Sequence, residues 1–398
     1  MRKYLLFVFA AISALSANAQ TAKAIADNSS FKSVVFGRIQ NAPKKLNGHA
    51  TVETTVAAKD MSALKAKIQK APALTDIYGT YIEDADAEVM HECDSATITE
   101  YKDPEDGKTY VNITFAQGWA DIIGTYDAET GIINCGPQYC GSYDKYGKFA
   151  IYGFTIDEQD NINLSEELSF QVNEDKSLSL IQENYIILMP EYTEQPNAIW
   201  LYSFEPSFYR ANGRMYESTV INGEWTDVEY PIFIEDYEFS VNVYNFLGIS
   251  SVSMDINDDL TVSLATGQNV TTTPSSADKE IYGDYIYICG VAIEGQQIKR
   301  DYDATEIKGQ LIGNNIIFDT YYALTSDHDA DGAAYGSWHH QPVFSLTEGN
   351  FIATGIKEVT ATREEMVKNA KTYNIMGQQV NRATKGLVIR NGKKFLNK

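Results

Sequence analysis

The sequence has few cysteines, prolines and histidines, and it is poor in basic side chains. Its four cysteines are too few for a fold held together by disulfides, although the chain has 398 residues. Only 32 lysines and arginines stand against 54 acidic residues, and the formal net charge is -22. A chain of this sign repels phosphate backbones, so we expect no nucleic-acid partner. A hydrophobic fraction of 44% excludes global disorder, and the length predicts two or three domains.

The common catalytic motifs are also missing. The sequence contains no Gly-x-Ser-x-Gly elbow, no His-Glu-x-x-His pair and no phosphate-binding loop. Its five histidines leave little material for a general base. The sequence does not exclude a pair of carboxylates for glycoside hydrolysis, because its many acidic residues form many pairs. A non-enzymatic role is therefore the expectation, and catalysis is the alternative.

The N-terminus is typical of a secretory signal. Arg2 and Lys3 precede an apolar stretch, Leu5 to Leu15, and Ala17-Asn18-Ala19 is a small-x-small cleavage site. The apolar stretch is too short to span a bilayer, and no later run is long enough. We predict a signal peptide over residues 1–19, export of the protein and no transmembrane segment. The alternative is a buried N-terminal helix.

The C-terminal residues 355–398 form a basic segment in which two short strands are expected, Thr372 to Asn374 and Gly386 to Arg390. Gly377 and Asn391-Gly392 supply turns. The segment resembles the C-terminal sorting segments of Bacteroidetes proteins exported by the type IX secretion system, over a stretch shorter than a full sorting domain. The matching residues are Tyr373, Asn374, Gly377, Val380, Lys385, Gly386, Leu387, Ile389, Gly392 and Lys393. The resemblance implies passage to the cell surface, the outer membrane or the medium. The alternative is a basic β-tail without a sorting role.

Charge and composition divide the chain further. Residues 20–72 are basic, with few aromatics and many Ala and Lys, and predict a loose leader with one helix at Met61 to Gln69. Residues 73–354 hold 48 acidic and 11 basic side chains, a net charge of -37. This anionic body should be soluble and attract cations.

The body contains one unit twice. Val111-Asn112-Ile113 matches Val241-Asn242-Val243, and collinear matches continue for more than a hundred residues to Trp200 and Trp338. We predict two related modules, residues 73–206 and 207–350, that superpose with Trp200 and Trp338 at equivalent core ends.

The sequence pattern of each module predicts β-strands. Thr109 to Phe115 and Ser177 to Leu180 alternate polar and apolar residues, and Asp127 to Gly131 reads as a hairpin turn. Turns spaced about ten to fifteen residues apart predict antiparallel meanders. The predicted fold class is all-β: two related antiparallel meander modules, plus the leader and a short β-tail. Each module is a sandwich or a small barrel, with a slight preference for a sandwich or an open barrel.

Two side-chain patterns leave alternatives open. Cys135 and Cys140 are close enough in sequence for a local disulfide, but their partners in the repeat, Ala265 and Val270, favour two buried thiols. Aromatic residues recur beside glycine, as in Tyr152-Gly153. Such rings can stack on sugars, but aromatics also fill strands by preference, which is the favoured interpretation.

One acidic turn is a candidate calcium loop. Asp327, Asp329 and Asp331 alternate before Gly332, a spacing that brings carboxylates onto one hard cation. The twelfth position is Trp338 instead of Glu, which rejects an EF-hand. His339 and His340 follow, but imidazole suits zinc better than calcium. The alternative is a solvated acidic turn, so no cofactor is required and Ca²⁺ is the one candidate.

These observations predict an exported, surface-associated binding protein without catalytic activity. Its partner would be a glycan, a protein or a component of the cell envelope. A secreted carbohydrate-active hydrolase and a structural surface protein are the alternatives. A shallow face with exposed aromatics would favour binding, and a deep cleft with two carboxyl groups would favour the hydrolase.

Overall fold

Strands make up nearly all of the regular structure in the computed structural model of this protein. The described residues are 51–352, apart from 69–72, 87–90, 159–160, 222, 238, 273–279, 281, 296 and 327–336. Near the C-terminus they are 372–374, 379–380, 386–390 and 393–397. The chain divides into two units, residues 1–352 and 353–398.

The first module of the larger unit is one antiparallel sheet of twelve strands. The strands run in the order β1-β2-β3-β4-β5-β9-β10-β12-β11-β7-β6, and β8 pairs with β7. Their bounds are β1 Ala73–Asp86, β2 His91–Lys102, β3 Thr109–Phe115, β4 Ala120–Asp127, β5 Ile132–Asn134, β6 Gln138–Tyr143, β7 Gly147–Ile156, β8 Ile162–Leu164, β9 Ser169–Val172, β10 Leu178–Leu180, β11 Asn184–Met189 and β12 Ala198–Arg210.

The second module repeats this topology strand for strand. Its order is β13-β14-β15-β16-β17-β21-β22-β24-β23-β19-β18, with β20 paired to β19. The bounds are β13 Gly213–Ile221, β14 Glu224–Asp236, β15 Ser240–Phe246, β16 Ser250–Ile256, β17 Thr261–Ala265, β18 Asn269–Thr272, β19 Tyr285–Glu294, β20 Gln297–Asp301, β21 Glu306–Ile312, β22 Asn315–Ile317, β23 Tyr321–Ser326 and β24 Trp338–Leu346. The prediction of two related all-β modules is confirmed.

Each sheet closes on itself. β1 pairs with β12 as well as with β2, and β13 pairs with β24 as well as with β14. Eight strands therefore form a ring in each module, and the remaining strands extend from β12 and β24. The predicted fold class is confirmed in its small-barrel form, not in the sandwich or open-barrel form that was slightly preferred, because a ring leaves no free edge between its first and last strands.

Buried and more exposed side chains alternate along the strands, and the buried ones fill the interior of each ring. The β16 side chains alternate buried and more exposed from Ser250 to Ile256, and the apolar ones join one core. Aromatic rings lie at the centre of both cores. Phe115 contacts Phe208 in the first, with centroids 5.4 Å apart, and Phe246 contacts Phe344 in the second at 6.1 Å. Each core therefore contains a cluster of contacting aromatic rings.

The tryptophans do not occupy equivalent positions. Tyr185 lies opposite Ser203 in the first module, and Tyr322 lies opposite His339 in the second. The residue equivalent to Trp338 is therefore Tyr202. Trp200 lies at a register shift between β11 and β12 and packs on the first core, whereas Trp338 carries the guanidinium of Arg300 over its ring at 4.7 Å. The expected match of Trp200 with Trp338 was wrong, because the sequence alignment did not include this shift.

Part of the leader packs against the first module. The helix α1, Ser62–Ile68, lies within the predicted span and buries Ile68 against Tyr110 and Ile123. Lys67 Nζ lies 2.6 Å from Asp103 Oδ2, an ion pair that lowers the pKa of Asp103. Residues 51–68 are thus packed, unlike the loose segment expected there. Residues 1–50, which include the predicted signal peptide, lie outside the described residues.

All four cysteines are buried and unbridged. Burial raises the pKa of the Cys140 thiol to about 12, and it raises that of Cys135 further. The favoured interpretation of core thiols holds, and the alternative of a disulfide between Cys135 and Cys140 was wrong. No helix among the described residues is long and apolar enough to cross a membrane.

The C-terminal unit contains a separate four-stranded sheet in the order β26-β25-β27-β28. The strands are β25 Thr372–Asn374, β26 Gln379–Val380, β27 Gly386–Arg390 and β28 Lys393–Asn397. The two predicted strands are confirmed at their exact bounds. The predicted turns at Gly377 and Asn391-Gly392 lie outside the described residues.

The complete burial of one phenylalanine ring in each core gives a first prediction. Phe208→Ala and Phe344→Ala should each lower the free energy of unfolding by about 3–5 kcal/mol, because both rings are fully buried. Phe239→Ala is the control, since that ring is 55% exposed, and should change stability by less than about 0.5 kcal/mol. Urea denaturation measures all three. A loss below about 1 kcal/mol at Phe208 or Phe344 would contradict the assigned core.

The thiols give a second prediction. A reductant should leave the melting temperature of the mature chain unchanged, and thiol titration of the denatured, unreduced protein should find four thiols. Two thiols, together with a fall in melting temperature on reduction, would reveal a disulfide worth about 2–4 kcal/mol.

Candidate functional site

Three hairpin connections lie at one end of the first module. They join β3 to β4, β6 to β7 and β11 to β12, and the strand pairings place them on the same side. All three carry large aromatic side chains. The ring contacts collect these side chains into one aromatic face: Trp119, Tyr143, Tyr146, Tyr192 and Trp200.

The rings of the aromatic face support one another. Trp119 and Trp200 contact edge to face, with centroids 4.9 Å apart, and Tyr143 stacks on Tyr146 at 5.9 Å. Phe149 is fully buried beneath them and stacks on Trp200 at 4.8 Å. Tyr143 is 50% exposed and the other four rings are half-buried. The face is a packed aromatic layer whose outer side meets solvent.

A strained turn positions Trp119. Ala116, Gln117 and Gly118 lie between β3 and β4 and have φ angles of 51°, 57° and 81°. Left-handed backbone at a residue other than glycine costs roughly 1–3 kcal/mol and persists only where other contacts enforce it. Gly141 lets β6 approach this turn, because a Cβ there would lie 3.0 Å from the Trp119 carbonyl oxygen.

A buried carboxylate enforces the turn. Glu83 lies inside the first ring with no exposed surface, and its Oε2 accepts a hydrogen bond from the Ala116 backbone N–H at 3.0 Å. Its Oε1 accepts from the Tyr185 hydroxyl at 2.7 Å. Hydrogen bonds to a charged group contribute about 1.5–3 kcal/mol each, which is enough to offset the strain.

Polar groups lie among the rings. The Tyr192 hydroxyl donates to Glu194 Oε2 at 2.6 Å, and this bond raises the pKa of Tyr192. Lys145 Nζ lies over the Tyr146 ring, 5.0 Å from its centroid. The Trp200 indole N–H and the Gln117 side-chain oxygen are buried without a hydrogen-bond partner in the described part of the chain. The face therefore contains one buried donor and one buried acceptor that have no hydrogen-bond partner in the described part of the chain.

The other predicted sites do not form part of this face. Asp327, Asp329 and Asp331 lie outside the described residues, and the described residues contain no group of three side chains that could hold a metal. Tyr152, from the aromatic-glycine pattern, is buried within the module. A shallow depression of about 650 Å³ lies on the second module, lined by Phe239, Ile256, Thr261 and acidic residues such as Asp259.

Sequence reasoning missed the aromatic face because its members come from distant hairpins. The one local signal was the sequence Gln117-Gly118-Trp119, which places a tryptophan directly after a turn glycine. The gap-free repeat pairs Trp119 with Ile249, so the second module lacks this ring. Only the fold brings Trp119 and Trp200 together.

Comparison with known proteins adds little to this geometry. No family model matches the chain, and no curated protein matches it. Among solved structures, the chain has a distant likeness to a porin-like protein from Bacteroides uniformis ATCC 8492. The identity is 10%, the match covers 69% of this chain and 98% of that chain, and the TM-score is 0.12. The functional argument therefore rests on the site itself.

The link between Glu83 and Trp119 is testable. Glu83→Gln places an amide nitrogen, which cannot accept a hydrogen bond, against one of two donors. We expect a loss of about 2 kcal/mol and a red shift of the tryptophan fluorescence as the turn relaxes. Glu174→Gln, in an exposed turn of the same module, is the control. Unchanged stability and fluorescence in the Glu83 variant would show that the carboxylate does not hold the turn.

Proposed function

We propose that the protein is an exported, surface-associated binding protein that holds a neutral glycan on the aromatic face of its first module. The observation that carries the proposal is the layer of five rings, half-buried or half-exposed, at one end of a closed sheet. The signal-like N-terminus and the sorting-like tail support export to the surface.

The rings suit a sugar. A pyranose ring presents C–H groups on its faces and hydroxyl groups around its edge, so a flat aromatic ring can cover the apolar face. Tyr143 stacks on Tyr146 with an interplanar angle of 25°, and its half-exposed ring provides such a surface. Because Trp119, Trp200 and Phe149 hold these rings from below, little conformational freedom is lost on binding.

The polar groups suit hydroxyls. A sugar hydroxyl can donate one hydrogen bond and accept others. Glu191 and Glu194, at the rim of the face, offer acceptors to such hydroxyls. The Trp200 N–H and the Gln117 oxygen are buried, so a ligand on the outer side of the rings does not pair with them.

Charge favours a neutral sugar over an anionic one. The body of the chain is strongly acidic, with 54 acidic and 32 basic residues in the whole sequence, and repels polyanions at long range. Lys145 lies on the Tyr146 ring and Lys148 lies 3.9 Å from Glu191, so both cations near the face are already engaged. Sulfated and uronic acid polymers should therefore bind weakly.

A glycan array on the mature chain, residues 20–398, tests the proposal, followed by calorimetric titration of the best ligand. Tyr143→Ala should weaken binding about fivefold, because one aromatic contact contributes about 1 kcal/mol. Tyr237→Ala is the matched control, since Tyr237 is similarly exposed, at 45%, but lies on the second module.

Two results would oppose the proposal. Equal weakening by the Tyr143 and Tyr237 variants would show binding away from the aromatic face. No binding to any neutral oligosaccharide would favour a protein ligand or a purely structural surface role.

A further inference from the structure

A second buried polar cluster lies inside the ring of the second module. Ser337 Oγ is 2.5 Å from His339 Nε2, and His339 Nδ1 is 2.9 Å from Glu217 Oε1. The three residues are 7%, 1% and 4% exposed. Their order, from hydroxyl to Nε2 and from Nδ1 to carboxylate, is that of the nucleophile, base and acid in serine hydrolases.

The imidazole is held in one orientation. Tyr322 stacks on His339 with centroids 4.6 Å apart, and its hydroxyl donates to the second oxygen of Glu217 at 2.5 Å. Burial raises the pKa of Tyr322 well above its usual value, so the hydroxyl keeps its proton and remains a donor. Because a carboxylate only accepts, His339 Nδ1 carries the ring proton and Nε2 faces Ser337 as a base.

The fold does not require these residues. The register in β12 and β24 makes Leu201 and Ser203 the equivalents of Ser337 and His339. The pairing of the first strand of each module with the last makes Ala85 the equivalent of Glu217. The first module therefore has none of these three side chains at the equivalent positions.

A further buried hydroxyl lies in the second module. Ser326 is 5% exposed, and its Oγ has no hydrogen-bond partner in the described residues. It shares a face of β23 with Tyr322, and the first module has Met189 at the equivalent place. An unpartnered hydroxyl in the interior costs free energy, so the second module keeps a polar group here at the expense of stability.

We propose that Ser337, His339 and Glu217 form a nucleophilic site that hydrolyses small carboxylic esters. Ser337 Oγ attacks the carbonyl carbon while its proton passes to His339 Nε2, and the ester C–O bond breaks as that proton passes to the leaving alcohol. Water then attacks the acyl-serine, again through His339, and releases the carboxylic acid. Glu217 is a positioning residue that holds the imidazole.

The burial of Ser337 limits the size of the substrate. Ser337 is only 7% exposed, so the proposal is restricted to esters with a small acyl group. Acetyl esters fit this restriction better than long-chain lipids.

The experiment uses the mature chain, residues 20–398, a fluorophosphonate probe and p-nitrophenyl acetate. Ser337 should be the labelled residue by mass spectrometry, and Ser337→Ala should abolish both labelling and ester hydrolysis. His339→Gln should slow labelling at least about a hundredfold, the usual contribution of a general base. Ser203→Ala, a buried serine in the first module, should label at the rate of the unmodified protein.

Circular dichroism establishes that each variant is folded. If the His339 variant unfolds, the position of the label on the unmodified protein decides the question by itself. Absence of label on Ser337, or equal labelling rates in a folded His339→Gln variant, would overturn the proposal.

Discussion

A carboxylate buried inside a closed sheet needs hydrogen-bond donors, and each module of this protein encloses one that accepts from a tyrosine. Glu83 and Glu217 lie in the two ring interiors and accept from equivalent tyrosines, Tyr185 and Tyr322. An unpaired charge in such an interior would cost several kcal/mol, so the neighbouring structure must supply the remaining donors. The two modules meet this requirement in different ways, and that difference separates their sites.

The first module uses its backbone. Glu83 fixes a left-handed turn, the turn places Trp119, and Trp119 completes the aromatic face with rings from two other hairpins. The second module uses a side chain. Glu217 accepts from His339, and the imidazole in turn contacts Ser337. One duplicated fold thus carries the aromatic face proposed to bind a ligand in one copy and the cluster proposed to be reactive in the other.

Local patterns predicted much of the fold. Alternation identified β3 and β10, and two of the four tail strands, β25 and β27, were predicted residue by residue. Ring closure was beyond these patterns, because β1 and β12 are separated by more than a hundred residues. Trp200 was misaligned because a register shift changes spacing without changing composition. The triad was missed for the same reason as ring closure, since Glu217 and His339 meet only through the pairing of β13 with β24.

The four tryptophans permit the most direct test of the binding face. Trp119 and Trp200 belong to the face, whereas Trp225 and Trp338 lie on the second module. In a nitrogen-15 NMR spectrum each indole N–H gives one resonance. Maltohexaose, cellohexaose and xylohexaose are titrated in turn. The oligosaccharide that binds should shift the Trp119 and Trp200 resonances and leave those of Trp225 and Trp338 unchanged. Shifts confined to Trp225 and Trp338, or none with any of the three, would contradict the account.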